Sequence, residues 1–348
     1  MKSIEISKKT LHFHKRFTIS YESVDTAEII LVKITDDDGL QGLGSASPDT
    51  EVTGETIESV YKILKKELTK DFFDLDIEKW REYHKKIKKT FRSFPSARAA
   101  VEEAVLNLFC KRHKMHMRDL FGKHREKCRT MITIGIEDKN STIDEVKKRL
   151  LEGFKIIKLK CGLDVEGDIE RIRAVSKILP DDCEMILDAN QGYSLKEAEH
   201  LLESLKNEKI ALIEQPVKSG DLEGLKKLNL LKSIPVVADE SIVTVNDAIK
   251  LIKGNYVSGV NIKLTKCGGP LDFIKIYKLA KSLNKIIVIG CMYESNISLT
   301  TAANLALALP IDYVDLDSGN LDFHDDPATG GIKVEKGYIT IEKELKLK

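Results

Sequence analysis

A chain of 348 residues can bury a large core and divide into about two domains, and a single barrel alone takes roughly 250 residues. Its 56 basic and 55 acidic side chains leave a formal net charge of +1, so no basic field marks out a nucleic-acid surface. Apolar residues at 42% and charged residues at 32% exclude wholesale disorder, and no apolar run approaches the ~20 residues that cross a bilayer. The N-terminal MKSIEISKK lacks the apolar stretch of a signal peptide, so a cytoplasmic protein without a membrane partner is expected.

In chain order, SIEISKKTLHF, AEIILVKI and LQGLGSAS read as an antiparallel meander around the turn Asp36-Asp37-Asp38-Gly39. Helical patterns follow at TGETIESVYKILKKEL, with Thr53 as the expected N-cap, near IEKWREYHKKIKK, and at SARAAVEEAVLNLFCKRHK. Strands followed by helices make residues 1–125 an α+β capping module. From about Thr130 the pattern changes to short apolar runs separated by amphipathic stretches: MITIGI, KIIKLK, EMILD, IALIE, PVVAD, VSGVNIK, KIIVIG and DYVDLD. Eight runs predict an α/β (β/α)₈ TIM-type barrel over residues 126–319, since no GxGxxG follows the first strand to support a doubly wound sheet. Residues 320–348 contain β-like pieces (GGIKVEKGYITIE) and are expected to return to the capping domain.

The ends of these runs carry ionisable residues. Lys160, Asp188, Glu214, Asp239 and Lys263 follow one another at intervals of 28, 26, 25 and 24 residues, about one βα unit each. Each therefore occupies the same place on successive strands, which in a barrel is the C-terminal mouth where active sites form. One charge at a strand end is ordinarily a solvated one. Five in one mouth must be partnered, because crowding and desolvation are costly.

Asp188, Glu214 and Asp239 come from adjacent strands and offer oxygen ligands alone, which suits Mg²⁺ or Mn²⁺ and leaves about three positions of an octahedron open. No HExxH or Cys-rich pattern indicates zinc. Lys158 and Lys160 alternate around Leu159 and point into the barrel, where mutual repulsion is expected to lower the proton affinity of one of them. Lys263 lies about across the mouth. Two lysines facing each other over a metal-bound carboxylate are the parts for removing an α-proton on one face and returning it on the other, with the metal stabilising the enediolate.

The motifs KLK (158–160), LDANQG (187–192), IEQP (213–216), ADES (238–241) and NIKLTKCGG (261–269) resemble the muconate-lactonizing-enzyme subgroup of the enolase superfamily along nearly the whole chain. The resemblance implies an enolase-like modified barrel, Asp188, Glu214 and Asp239 as metal ligands, Lys160 and Lys263 as acid/base lysines, and Lys158 as the neighbour that tunes Lys160. Asp315 and Asp317, alternating at the eighth strand, are similar to the DxD pair by which dipeptide epimerases hold the substrate α-ammonium group.

The pocket for the second residue of a dipeptide is expected under the loops 18–25 and 47–54. Where Ala-Glu epimerases carry an arginine, Glu22 stands here, with Asp49 and Glu51 on the neighbouring loop, and Lys15 and Arg16 lie close by. A Lys or Arg side chain is therefore expected in the substrate. Thr133, Cys291, Met292 and Glu294 also occupy mouth positions, for contact with substrate or for packing.

The alternatives are an L-Ala-D/L-Glu epimerase, an N-acylamino acid racemase, an o-succinylbenzoate synthase, a muconate cycloisomerase, or a silent binding protein that has lost a ligand or lysine. None is missing. The partners expected are a dipeptide and further copies of the chain in a homo-oligomer. The six cysteines show no CxxC spacing and read as reduced packing residues, and the eight histidines show no metal-type cluster, His12 and His14 reading as strand residues near the loops.

Overall fold

A computed structural model describes residues 2–348, the side chain of Lys343 set aside. The β-branched N-terminal segments form an antiparallel sheet of β1 (Ser3–Thr18), β2 (Ser23–Thr35) and β3 (Gln41–Ala46) in that order. Gly39, at φ +84°, supplies the left-handed residue of the turn between β2 and β3, and the Asp36 carboxylate accepts the Leu40 N–H at 2.8 Å.

Helices α1 (Ile57–Glu67), α2 (Trp80–Thr90), α3 (Pro95–Arg112) and α4 (Arg118–Phe121) follow. The cap of α1 is Thr56, not Thr53. Thr56 accepts the Ser59 N–H while Ser59 reaches back to the Thr56 N–H, whereas Thr53 bonds back to the Asp49 carbonyl and closes the preceding loop.

Helix α3 is buried nearly all round, Ser96, Arg98, Glu102 and Glu103 included, because it is sandwiched between the meander and the barrel. A Cβ on Gly44 would sit 1.9 Å from the Ala100 carbonyl oxygen, so β3 and α3 pack backbone to backbone through Gly42, Gly44, Ala100 and Ala104. On its far side Glu102 accepts the Leu271 N–H at 2.6 Å, joining this layer to the barrel.

After a short strand β4 (Cys128–Arg129), eight parallel strands follow in sequential order. They are β5 (Ile132–Ile134), β6 (Ile156–Lys160), β7 (Glu184–Asp188), β8 (Ile210–Glu214), β9 (Val236–Ala238), β10 (Gly259–Lys263), β11 (Ile286–Gly290) and β12 (Tyr313–Val314). Helices α5 (Lys139–Leu151), α6 (Val165–Ser176), α7 (Leu195–Leu205), α8 (Leu222–Leu231), α9 (Val245–Lys253), α10 (Leu264–Cys267), α11 (Pro270–Ser282) and α12 (Asn296–Ala308) lie between them. The Met131 N–H donates to the Val314 carbonyl at 2.9 Å, tying the last strand to the first and closing the curled sheet.

Strand alternation then sets what faces inward. Met131, Ile156, Ile186, Leu212, Val237 and Val288 form an apolar plug on the barrel axis. Two residues further along the same faces stand Thr133, Lys158, Asp188, Glu214, Asp239 and Gly290. The alternate positions on the same strands, such as Leu159, Leu187, Ile213, Ala238 and Ile262, pack outward against the helices.

The tail forms a hairpin of β13 (Ala328–Glu335) and β14 (Tyr338–Leu347), with β4 as its third strand. Ala328 and Leu345 share a cluster with Leu11, Ile29, Leu31 and Leu43 of the meander and Ile297 of α12. Among the described residues no helix is long and apolar enough to cross a membrane, and all six cysteines are free.

Candidate active site

The parallel register brings the strand-end charges to one level. Lys160 pairs with Asp188 across β6 and β7, and Asp188 with Glu214 across β7 and β8. Asp239 follows β9 directly, and Lys263 closes β10. In strand order the two lysines therefore bracket the three carboxylates.

Lys160 Nζ lies 2.7 Å from Asp188 Oδ2 and 2.8 Å from Asn190 Oδ1, and Lys263 Nζ lies 2.8 Å from Asp239 Oδ2. Lys158 differs from expectation. Its ammonium lies 2.9 Å from Asp188, 2.8 Å from Glu214 and 2.6 Å from Asp315, so attraction to three carboxylates, and not repulsion from Lys160, dominates its surroundings. Burial disfavours its charge, yet Asp188, Asp315 and Glu214 hold its pKa well above the ordinary lysine value. Lys263 is raised likewise by Asp239 against its burial.

The carboxylates diverge according to their neighbours. Burial opposes the charge of Asp188 and Asp239, but Lys158 and Lys160 hold the first well below the usual range, and Lys263 and Lys266 bring the second to about 2. Glu214 is pushed up to about 7 by burial, with Asp188 and Asp315 adding to it against Lys158.

Asp188, Glu214 and Asp239 each offer an oxygen within 4.8 Å of the others, the one such group of metal-ligating side chains among the described residues. Glu214 Oε1 is buried without a hydrogen-bond partner. An unpartnered buried carboxylate oxygen in an all-oxygen set fits a hard divalent cation and does not fit zinc.

Above this layer the mouth continues into the capping sheet. The cavity is lined by Phe17, Ile19, Tyr21, Glu22, Asp49 and Val52 from the cap and by Thr133, Lys158, Lys160, Asn190, Glu240, Lys263, Cys291, Met292, Tyr293, Asp315, Asp317, Ser318 and Asp322 from the barrel side. Asp317 accepts the Thr133 N–H, and its pKa is pushed up to about 6, chiefly by burial and then by Asp315. Glu22 and Asp49 are both raised by burial, and each feels a mouth lysine, Lys160 for Glu22 and Lys263 for Asp49.

Two residues expected at the mouth lie elsewhere. Glu294 turns away from the cavity because its carboxylate organises its own loop, accepting the Met292 N–H at 3.0 Å and the Thr265 hydroxyl at 3.2 Å. Glu51 is exposed and lines only the outer cleft beside Glu22 and Asp49. Lys15 pairs with Glu137, and Arg16 bonds Ser23 and faces Asp25, so neither cation enters the cavity.

Sequence reasoning also missed Lys266, Asn190, Asn261 and Glu240. Lys266 is fully buried behind Asp239; its position three residues after Lys263, one turn along α10, was the available signal. Asn190 links Lys160 to Glu240 through its amide, and Asn261 donates to Glu214 Oε2 at 3.0 Å.

The chain matches two family descriptions: Mandelate racemase / muconate lactonizing enzyme, N-terminal domain, over residues 2–122, and Enolase C-terminal domain-like, over residues 141–345. It is 34% identical to the L-Ala-D/L-Glu epimerase of Clostridium acetobutylicum, covering 99% of this chain and 97% of that protein. It is 33% identical to the L-Lys-D/L-Arg epimerase of Desulforapulum autotrophicum, covering 97% and 96%. The crystal structure of a dipeptide epimerase from Methylococcus capsulatus complexed with Mg and the dipeptide L-Arg-D-Lys superposes with a TM-score of 0.91 at 31% identity, over 99% of this chain and 97% of that one.

Proposed function

The chain belongs to the mandelate racemase / muconate lactonizing enzyme family of the enolase superfamily, and we propose that it is a Mg²⁺-dependent dipeptide epimerase acting at the α-carbon of the C-terminal residue. The observation that carries this reading is that Lys160 and Lys263, on β6 and β10, bracket the carboxylates of β7 to β9. Asp188, Glu214 and Asp239 would hold the ion, and their oxygens would accept Mn²⁺ as well. When bound, it supplies the positive charge against which negative charge can gather on the substrate carboxylate as the α-proton leaves.

Lys160 and Lys263 serve opposite faces of the α-carbon. One enters each turnover neutral and takes the proton; the other enters as ammonium and delivers one, so the two exchange charge states with the direction of reaction. Lys158, fixed between Asp188, Glu214 and Asp315, adds a positive charge beside the cluster.

Asp315 and Asp317 both line the cavity, but Asp315 is already engaged by Lys158 at 2.6 Å, so Asp317 is the one that receives the α-ammonium group of the dipeptide. Thr133, Cys291 and Met292 bound the space around it. Glu22 and Asp49 form the inner wall on the cap side and favour a Lys or Arg side chain, supported by the absence of Lys15 and Arg16 from the cavity. Relatives of nearly equal identity differ in substrate, so this charge pattern, and not overall similarity, carries the preference.

Incubation of the Mg²⁺-loaded enzyme with a dipeptide library in D₂O, read by mass spectrometry, tests the proposal. Exchange of L-Ala-L-Lys or L-Lys-L-Arg faster than of L-Ala-L-Glu is expected. Faster exchange of L-Ala-L-Glu would refute the cationic preference, and no exchange of any dipeptide would refute the activity. The same reading has the enzyme working as a homo-oligomer in the cytoplasm, the first of which light scattering on the purified protein measures directly.

A further inference from the structure

Lys160 and Lys263 are both buried, yet they are held differently. Lys263 Nζ pairs with Asp239 Oδ2 at 2.8 Å and has no amide partner among the described residues. Lys160 Nζ lies 2.7 Å from Asp188 Oδ2, an oxygen that it shares with Lys158 at 2.9 Å, and donates a second time, at 2.8 Å, to Oδ1 of Asn190. Asp188 is also claimed by the metal site. The Asn190 amide is therefore the one acceptor dedicated to this lysine.

All the polar groups of Asn190 are engaged. Its N–H donates to Asp188 Oδ1 at 3.1 Å, its carbonyl accepts the Ser20 hydroxyl at 2.7 Å, and its side-chain Nδ2 donates to Glu240 Oε1 at 3.0 Å. An amide has one accepting and one donating end, so with Glu240 holding the amino end the oxygen is left facing the ammonium group. The backbone of Asn190 is left-handed, at φ +39°, a conformation that asparagine tolerates better than most residues and that persists where the surroundings fix it.

Part of that fixing comes from the cap. Ser20 lies in the turn between β1 and β2, which the Ile19 N–H closes by donating to the Glu22 carbonyl at 3.0 Å, and the same turn brings Ile19, Tyr21 and Glu22 to the cavity wall. The turn is seated on the barrel loops that follow β6 and β7. A Cβ on Gly162 would lie 3.1 Å from Ser20 Cβ and 2.5 Å from the Ala189 carbonyl oxygen, and one on Gly192 would lie 2.3 Å from the Gly162 carbonyl oxygen. Glycine at both positions lets the cap turn and the two loops pack as one unit around Asn190.

We propose that Asn190 is a positioning residue for Lys160 and that Ser20 couples it to the cap, so that seating of the cap turn aims the lysine of one face and leaves Lys263 unaffected. The inference rests on the reading of Lys160 and Lys263 as the bases of opposite faces. A lysine stem is flexible, and one shared oxygen leaves its ammonium group free to swing; a second, fixed acceptor narrows that motion to one direction. The turn that covers the substrate thereby also completes the geometry of the base beneath it.

Exchange of the α-proton in D₂O is measured by mass spectrometry at saturating Mg²⁺, separately for the L,L and L,D isomers of whichever of Ala-Lys and Ala-Glu the parent exchanges faster. Lys160→Ala identifies the isomer that depends on Lys160. Asn190→Gly keeps the left-handed backbone and removes the amide. In this variant, exchange of that isomer should fall about tenfold or more while the other stays within about twofold of the parent, since misplacing a reacting group by about 1 Å costs up to about 10²-fold. Ser20→Ala should shift the ratio of the two isomers in the same direction by about threefold, as a smaller misplacement. The ratio within each variant cancels any loss of folded protein or of bound ion, which a merely structural role would impose on both isomers alike. Equal slowing of both isomers in Asn190→Gly, slowing confined to the isomer that depends on Lys263, or rates unchanged from the parent would overturn the proposal. A parent that exchanges no dipeptide would refute the activity itself, and the positioning role with it.

Discussion

Lys266 and Asp239 form a buried ion pair behind the barrel mouth: the Lys266 ammonium donates to both Asp239 Oδ1 and the Asp239 carbonyl, and neither side chain has any exposure. Burial lowers the pKa of Lys266, while Asp239 works to keep it charged. Removing one partner of such a pair typically costs about 3–5 kcal/mol, because the other charge stays buried alone. Lys266→Met should therefore lose stability of that order in urea titration and bind Mg²⁺ more weakly by calorimetry. Unchanged values for both would mean that Asp239 is oriented by something else.

Asp317 gives a pH signature. Its pKa is about 6, raised by burial and by Asp315. Below that value the carboxyl is protonated and loses its attraction for an ammonium group; above it the acceptor is complete. kcat/KM for dipeptides, which reports groups of the free enzyme, should fall as pH drops through about 6. In Asp317→Asn this acidic limb should vanish, with kcat/KM at pH 8 reduced to a low plateau. An acidic limb that persists unchanged in the variant would assign it to another group.

Side-chain choice should turn on Glu22. Losing a hydrogen bond to a charged group costs about 1.5–3 kcal/mol, so Glu22→Gln should lower kcat/KM for a Lys- or Arg-containing dipeptide by about 10- to 100-fold while sparing L-Ala-L-Ala. Glu22→Arg should shift preference toward L-Ala-L-Glu. Competition between the two dipeptides in one reaction reads the ratio directly.

Glu103 links pH to stability. It is fully buried, with Oε2 accepting the Ser45 N–H at 3.2 Å and Oε1 unpartnered, and burial raises its pKa well above the ordinary glutamate value. The folded state thus keeps a proton that the unfolded chain releases, so stability is highest below the unfolded pKa and falls as pH rises toward the folded one. Glu103→Gln preserves the Ser45 contact without the charge. It should unfold at higher temperature than the parent at pH 8, with the gain vanishing near pH 4, as calorimetry across pH would measure.

The barrel and its ring of charges were legible because strand period and βα repeat length act locally: Lys160, Asp188, Glu214, Asp239 and Lys263 stand one repeat apart, and register then levels them. Details set by loop direction were not. Glu294 follows a strand end like the others, but hydrogen bonds to Met292 and Thr265 turn it outward. Thr53 and Thr56 are equally good caps by type, and only the turn that binds Thr53 to Asp49 decides between them. Contacts between distant segments were out of reach altogether: 313 residues separate His12 from Asp325, and no local pattern announces their pairing.

The central claim is that two lysines serve opposite faces of one α-carbon. Lys160→Ala and Lys263→Ala, each loaded with Mg²⁺ and incubated in D₂O with the L,L and L,D isomers of one cationic dipeptide, test it most directly by mass spectrometry. Loss of a general base costs about 10²- to 10⁴-fold. Each variant should lose epimerisation, and the two should differ in which isomer still exchanges its α-proton, one retaining exchange of the L,L form and the other of the L,D form. Equal loss of exchange for both isomers in one variant, with the other variant epimerising normally, would contradict the two-base account.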